Sequence, residues 1–202
     1  MADGGFIHRF ISKSGPRTLL LLHGTGGNEN DLLPLADSLD RTSSVLSIRG
    51  KVLENGMPRY FRRLAPGVFD IEDLKFRTGE LADFVLFAAK EYSFDPASVV
   101  AVGYSNGANI AASILLLRPE IIESAILFRA MLPLVPESLP DLAGKRVFIS
   151  AGKFDSIIPK STVIELGELL QKANAEVTLS WEESDHTLTE NEVMKAHDWL
   201  KT

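Results

Sequence analysis

Short apolar runs alternate with amphipathic stretches along almost the whole chain. Residues 17–23, Arg-Thr-Leu-Leu-Leu-Leu-His, are apolar at successive positions, the pattern of a strand covered on both faces. Residues 43–48, 98–103, 124–128, 146–151 and 176–181 read as further strands, and residues 6–12 as a first, edge strand. Helical periodicity falls between them, at about residues 30–39, 77–92, 107–117, 162–173 and 190–200. The last helix opens with Thr189-Glu190-Asn191-Glu192, a capping box in which hydroxyl and carboxylate satisfy reciprocal backbone donors.

This alternation predicts an α/β fold: a mostly parallel sheet of about seven strands, helices on both faces, and one domain over residues 1–202. Ligands of such sheets sit at the carboxyl ends of the strands, so chemistry is sought in the loops there. One connection is unusually long. Residues 50–76 are expected to be functional or to have their own local structure. Residues 129–144 leave little room for a lid, and no other connection is long enough for a cap domain.

Composition narrows the classes. Of 202 residues, 45% are hydrophobic and 24% charged, as in a soluble globular protein. The absence of cysteine excludes disulfide scaffolds, zinc ribbons and thiol nucleophiles. With 21 basic and 27 acidic residues the net charge is −6, which argues against a nucleic-acid partner. No apolar run approaches the roughly 18 residues of a membrane span. The start, Met1-Ala2-Asp3-Gly4-Gly5-Phe6, lacks a basic segment followed by an apolar one. A cytoplasmic protein without a membrane partner is the expectation.

The strongest chemical signal is Gly103-Tyr104-Ser105-Asn106-Gly107, placed between a predicted strand and a predicted helix. This is the G-x-S-x-G nucleophile elbow in its required context. A serine needs a base and an oxyanion hole. Of the four histidines, His8 lies in the first strand and His197 in mid-helix, whereas His23 heads the glycine-rich run His23-Gly24-Thr25-Gly26-Gly27. His186, in Ser184-Asp185-His186-Thr187, falls at the carboxyl end of the last strand, where the base belongs. The orienting acid lies between serine and base in this architecture. Asp155 follows the strand at 146–151 and has that place; Asp141 precedes the strand and lies at its wrong end. The backbone N–H groups of Thr25 and Asn106 are the expected oxyanion donors. A phosphate-binding loop is the rival reading of the glycines, but the Lys-Ser/Thr ending of a P-loop is missing.

These motifs, Leu20–Leu22 followed by His23-Gly24-Thr25-Gly26-Gly27-Asn28-Glu29, the Ser105 elbow, the Asp155 turn and the His186 loop, resemble the carboxylesterase/phospholipase family of α/β-hydrolases, which includes acyl-protein thioesterases. Arg49-Gly50, Asn55-Gly56-Met57-Pro58-Arg59, Phe61-Arg62-Arg63 and Gly67-Val68-Phe69-Asp70 are similar to its bacterial branch linked to quinone or aromatic-compound resistance. The resemblance implies an α/β-hydrolase fold and a Ser–His–Asp carboxylesterase without cofactor or metal. It implies small acyl or aryl ester substrates and a monomer or homodimer. Thioesterase, lysophospholipase-type or lactone hydrolysis share the same machinery, and a non-hydrolytic shell that binds ligand is the alternative from another class. Two positions depart from the family: Asp185 stands where Gly usually precedes the histidine, and Ser156 where Pro often follows the acid. A carboxylate beside a histidine favours the imidazolium form, so an influence of Asp185 on the pH profile is expected. Met57, Tyr60, Phe61, Phe69 and Met131 are candidate pocket walls. Arg59, Arg62 and Arg63 are read either as steering an anionic substrate or as a solvated loop face.

Overall fold

The computed structural model describes residues 5–202; the reading of the extreme terminus, residues 1–4, lies outside them. The chain runs through β1 (His8–Ile11), β2 (Thr18–Leu22), α1 (Leu33–Leu39) and β3 (Ser44–Ile48). Four short strands follow: β4 (Val52–Glu54), β5 (Met57–Arg59), β6 (Arg63–Ala65) and β7 (Val68–Phe69). Then come α2 (Ile71–Tyr92), β8 (Val99–Tyr104), α3 (Asn106–Leu117), β9 (Ser124–Phe128) and β10 (Arg146–Gly152). Helix α4 (Lys160–Lys172), β11 (Glu176–Glu182) and α5 (Glu190–Lys201) complete the order.

Seven strands form one sheet in the order β1-β3-β2-β8-β9-β10-β11. Only β1 is antiparallel to its neighbour. Leu19 to Leu22 are all fully buried because each face of β2 meets a separate apolar layer. Leu20 and Leu22 join the layer that holds Leu81, Ile110 and Leu166 from α2, α3 and α4. Leu19 and Leu21 join the layer that holds Ala36 and Trp199 from α1 and α5. The capping box of α5 is formed in both directions, and α5 thereby starts beside the carboxyl edge of the sheet.

Two helix starts differ from the sequence reading by three residues or more. Helix α2 begins at Ile71, six residues before the predicted start, because Asp70 accepts the Asp73 N–H at 3.1 Å and the acidic Glu72 and Asp73 suit the first turn. Helix α1 begins at Leu33, since Asn28 Oδ1 accepts the Asn30 N–H and holds a turn before it.

Residues 52–69 fold as two hairpins on the carboxyl edge. In the first, Asn55 and Gly56 both have positive φ between the paired Glu54 and Met57, the geometry of a two-residue Asn-Gly turn. Tyr60 sews this insert to the sheet: its hydroxyl donates to Ile48 O at 2.6 Å and accepts the His23 N–H at 2.9 Å. Burial pushes its phenol well above the ordinary range, so it stays a neutral donor. No cap domain covers the edge among the described residues, and no described helix is long and apolar enough to cross a membrane.

Candidate active site

Strand β8 ends in a turn too tight for side chains at its flanks. A Cβ on Gly103 would lie 2.5 Å from Ala108 Cα, and one on Gly107 would lie 1.9 Å from Leu22 O. Between them Ser105 adopts φ 53° and ψ −112°, a region non-glycine residues rarely occupy. The Ser105 N–H donates to Phe128 O on β9 at 2.9 Å, which fixes the elbow to the neighbouring strand.

The loops after β10 and β11 bring two more side chains to this hydroxyl. His186 Nε2 lies 3.0 Å from Ser105 Oγ, and His186 Nδ1 lies 2.7 Å from Asp155 Oδ2. A carboxylate only accepts, so Nδ1 carries the proton and Nε2 is left to accept from the serine hydroxyl. Asp155 is held from its other side: Oδ1 accepts the Ile157 and Ile158 N–H groups at 2.8 and 3.0 Å. The Tyr104 hydroxyl donates to His186 O at 2.8 Å. The three residues singled out in the sequence thus form one hydrogen-bonded chain, while Asp141 sits in an exposed turn where it accepts from Ala143 and Asn174.

Ser105 and His186 open into a cavity of about 290 Å³ that Thr25 and Asn106 also line. Asn106 opens α3, so its N–H has no partner within the helix. Its side chain has a second task, accepting the Tyr60 N–H at 2.8 Å. Arg59 Nη1 donates to Thr25 Oγ1 at 2.6 Å and steadies the glycine-rich loop.

The pocket candidates separate. Phe69 and Met131 line the cavity, with Ile157 and Ile158, which the sequence reading missed. Met57, Tyr60 and Phe61 do not, Tyr60 being buried where it joins the insert to the sheet. Phe61 is fully buried beneath Phe69, their rings edge-on at 5.0 Å, and Met57 packs outside the cavity near Gly26. The three arginines also part company. Arg62 is exposed and paired with Asp70. Arg59 and Arg63 line the cavity and share Glu54. Burial lowers the Arg59 guanidinium from its ordinary value, with Arg63 adding to the effect and Glu54 opposing it.

The other histidines have structural partners. His8 bonds to Tyr92 and Phe6, and His197 to Leu39 O. His23 Nε2 accepts the Gly50 N–H at 3.0 Å, and burial lowers its pKa from the ordinary histidine value. Asp185 is turned away from His186: its Oδ1 accepts from both the N–H and the hydroxyl of Thr187, at 2.8 and 2.6 Å. These bonds hold its carboxyl below the usual range. No group of three or more histidine or carboxylate side chains among the described residues could hold a metal ion.

Comparison with known proteins places the chain among hydrolases. The model of the dienelactone hydrolase family matches residues 71–198. A protein named "Putative hydrolase MhqD", from Bacillus subtilis (strain 168), is 47% identical over 194 residues, covering 96% of this chain and 97% of that protein. The crystal structure of a Bacillus cereus carboxylesterase is 54% identical with a TM-score of 0.96, covering 98% of this chain and 94% of that one. A carboxylesterase from Mesorhizobium loti is 32% identical with a TM-score of 0.91, covering 100% and 97%.

Proposed function

The chain belongs to the dienelactone hydrolase family of α/β-hydrolases and is an esterase-type hydrolase, and from that premise we propose that it cleaves small carboxylic esters through an acyl-enzyme on Ser105. The observation that carries the proposal is the unbroken chain from Ser105 Oγ to His186 Nε2, and from His186 Nδ1 to Asp155 Oδ2, at the wall of one cavity. Ser105 attacks the ester carbonyl carbon as His186 Nε2 takes its proton, and Asp155 stabilises the imidazolium that forms. The tetrahedral oxyanion is received by the Thr25 and Asn106 N–H groups. Collapse breaks the ester C–O bond, and His186 returns its proton to the departing alkoxide. Water, activated by the same imidazole, then releases the acid and restores the serine.

Cavity size supports small substrates. About 290 Å³ lies at the lower end of ligand pockets and suits a short acyl chain or a single aromatic ring. Met131, Phe69, Ile157 and Ile158 supply apolar walls for it. Turnover of p-nitrophenyl esters across chain lengths tests this reading. Acetate and butyrate should give the highest kcat/KM, with dodecanoate at least tenfold lower. Equal or rising kcat/KM with chain length would overturn the small-substrate proposal. A matched thioester and lactone in the same assay show whether the acyl machinery favours the oxygen ester.

A further inference from the structure

The geometry points to Arg129 and Glu192 as positioning residues that hold the His186 loop in register with Ser105, an inference that rests on the reading of His186 as the base. Neither side chain has any exposed surface, and they form a bidentate ion pair, Nη1 to Oε2 at 2.6 Å and Nη2 to Oε1 at 2.8 Å. Arg129 is the residue after β9 and has φ 57°, in the left-handed region that favours glycine. That backbone turn carries its side chain beneath the catalytic loop.

There the guanidinium donates to both sides of the base. Nε donates to Asp185 O at 3.0 Å, and Nη2 to Thr187 O at 2.5 Å and to Ser184 Oγ at 2.9 Å. Glu192 ties the arginine to the frame, accepting the Ser150 hydroxyl of β10 at 2.5 Å and the Thr189 N–H of the α5 cap at 2.6 Å. The nucleophile is fixed one residue away, since Phe128 O accepts the Ser105 N–H. Adjacent residues at one strand end therefore hold the nucleophile by a backbone carbonyl and the base loop by a side chain.

Stability alone does not account for this choice of residues. A buried ion pair is costly to desolvate, and well-packed apolar side chains commonly serve a core at least as well. What apolar side chains lack is directional donors for the carbonyls flanking His186. Small misplacements matter here, because an error of about 1 Å from a remote change can cost on the order of 100-fold in rate.

The test is the double variant Arg129→Met/Glu192→Leu, which removes both charges together, read beside Glu192→Gln and His186→Ala. Circular dichroism establishes folding, steady-state kinetics separates kcat from KM, and proton NMR reads the downfield Nδ1–H that His186 shares with Asp155. We expect the folded double variant to lose about 10- to 100-fold in kcat with KM within threefold, and its downfield proton to broaden or vanish. Retained kcat within twofold together with an intact downfield proton would overturn the inference. Should the double variant not fold, Glu192→Gln keeps the volume and one acceptor and is judged by the same two readouts, with a smaller loss expected. Turnover surviving in His186→Ala would instead overturn the triad, a separate result.

Discussion

Asp155 Oδ2 lies 2.7 Å from His186 Nδ1, and the other oxygen of the same carboxylate is fixed by the Ile157 and Ile158 N–H groups. This division of labour decides what an amide would do. Asp155→Asn keeps its carbonyl oxygen against the two backbone donors and so turns its NH2 toward Nδ1. Nδ1 must then accept, the ring proton moves to Nε2, and Ser105 loses its base. We expect a folded protein with kcat down roughly 10⁴-fold, whereas Asp141→Asn stays close to wild type. A loss below tenfold in Asp155→Asn would place the orienting acid elsewhere.

Asp185 acts as an anchor more than as a charge on the base. Its Oδ1 accepts both Thr187 donors and points along the loop. Asp185→Asn keeps that acceptor and removes only the charge, so its kcat should stay within about twofold. Asp185→Gly removes the anchor and frees the backbone, and should lower kcat several-fold at any ionic strength. Exposed charge effects fade with salt. Equal impairment of the two variants, relieved by salt, would show that the charge is what matters.

Much of this was legible in the chain. The run at Leu19–Leu22 announces a strand covered on both faces, and the glycines of the elbow announce a turn that excludes Cβ atoms. The order Ser105, Asp155, His186 is a local signal at each of three strand ends. Other features had no local signature. Arg129 and Glu192 are 63 positions apart, and only the packing of β9, β10 and α5 brings them together. Phe61 and Phe69 look alike in sequence, but one is sealed beneath the other by the second hairpin. The first turns of α2 were missed although Asp70, Glu72 and Asp73 carried the signal, because Ile71 and Phe76 are exposed and break the apolar periodicity.

His23 couples stability to pH. Its Nε2 must be unprotonated to accept the Gly50 N–H, and burial lowers its pKa from 6.5. The unfolded chain takes up this proton near pH 6.5 while the folded chain does not. The contribution to stability is therefore complete above about pH 7, and it falls as pH drops from 6.5 toward the folded value. His23→Gln offers an acceptor that does not titrate. Thermal unfolding should show the variant less stable at pH 8, with the gap in Tm to wild type narrowing by pH 5. A gap that stayed constant or widened would contradict this linkage.

If Ser105 is the nucleophile of an ester hydrolase, covalent capture of its hydroxyl must abolish turnover. The protein is treated with a fluorophosphonate, residual turnover of p-nitrophenyl butyrate is followed, and the modified peptide is identified by mass spectrometry. We expect one adduct per chain, located on Ser105, with turnover lost in proportion to labelling, and no adduct or turnover in Ser105→Ala. An adduct on another residue, or full turnover after stoichiometric labelling of Ser105, would contradict it.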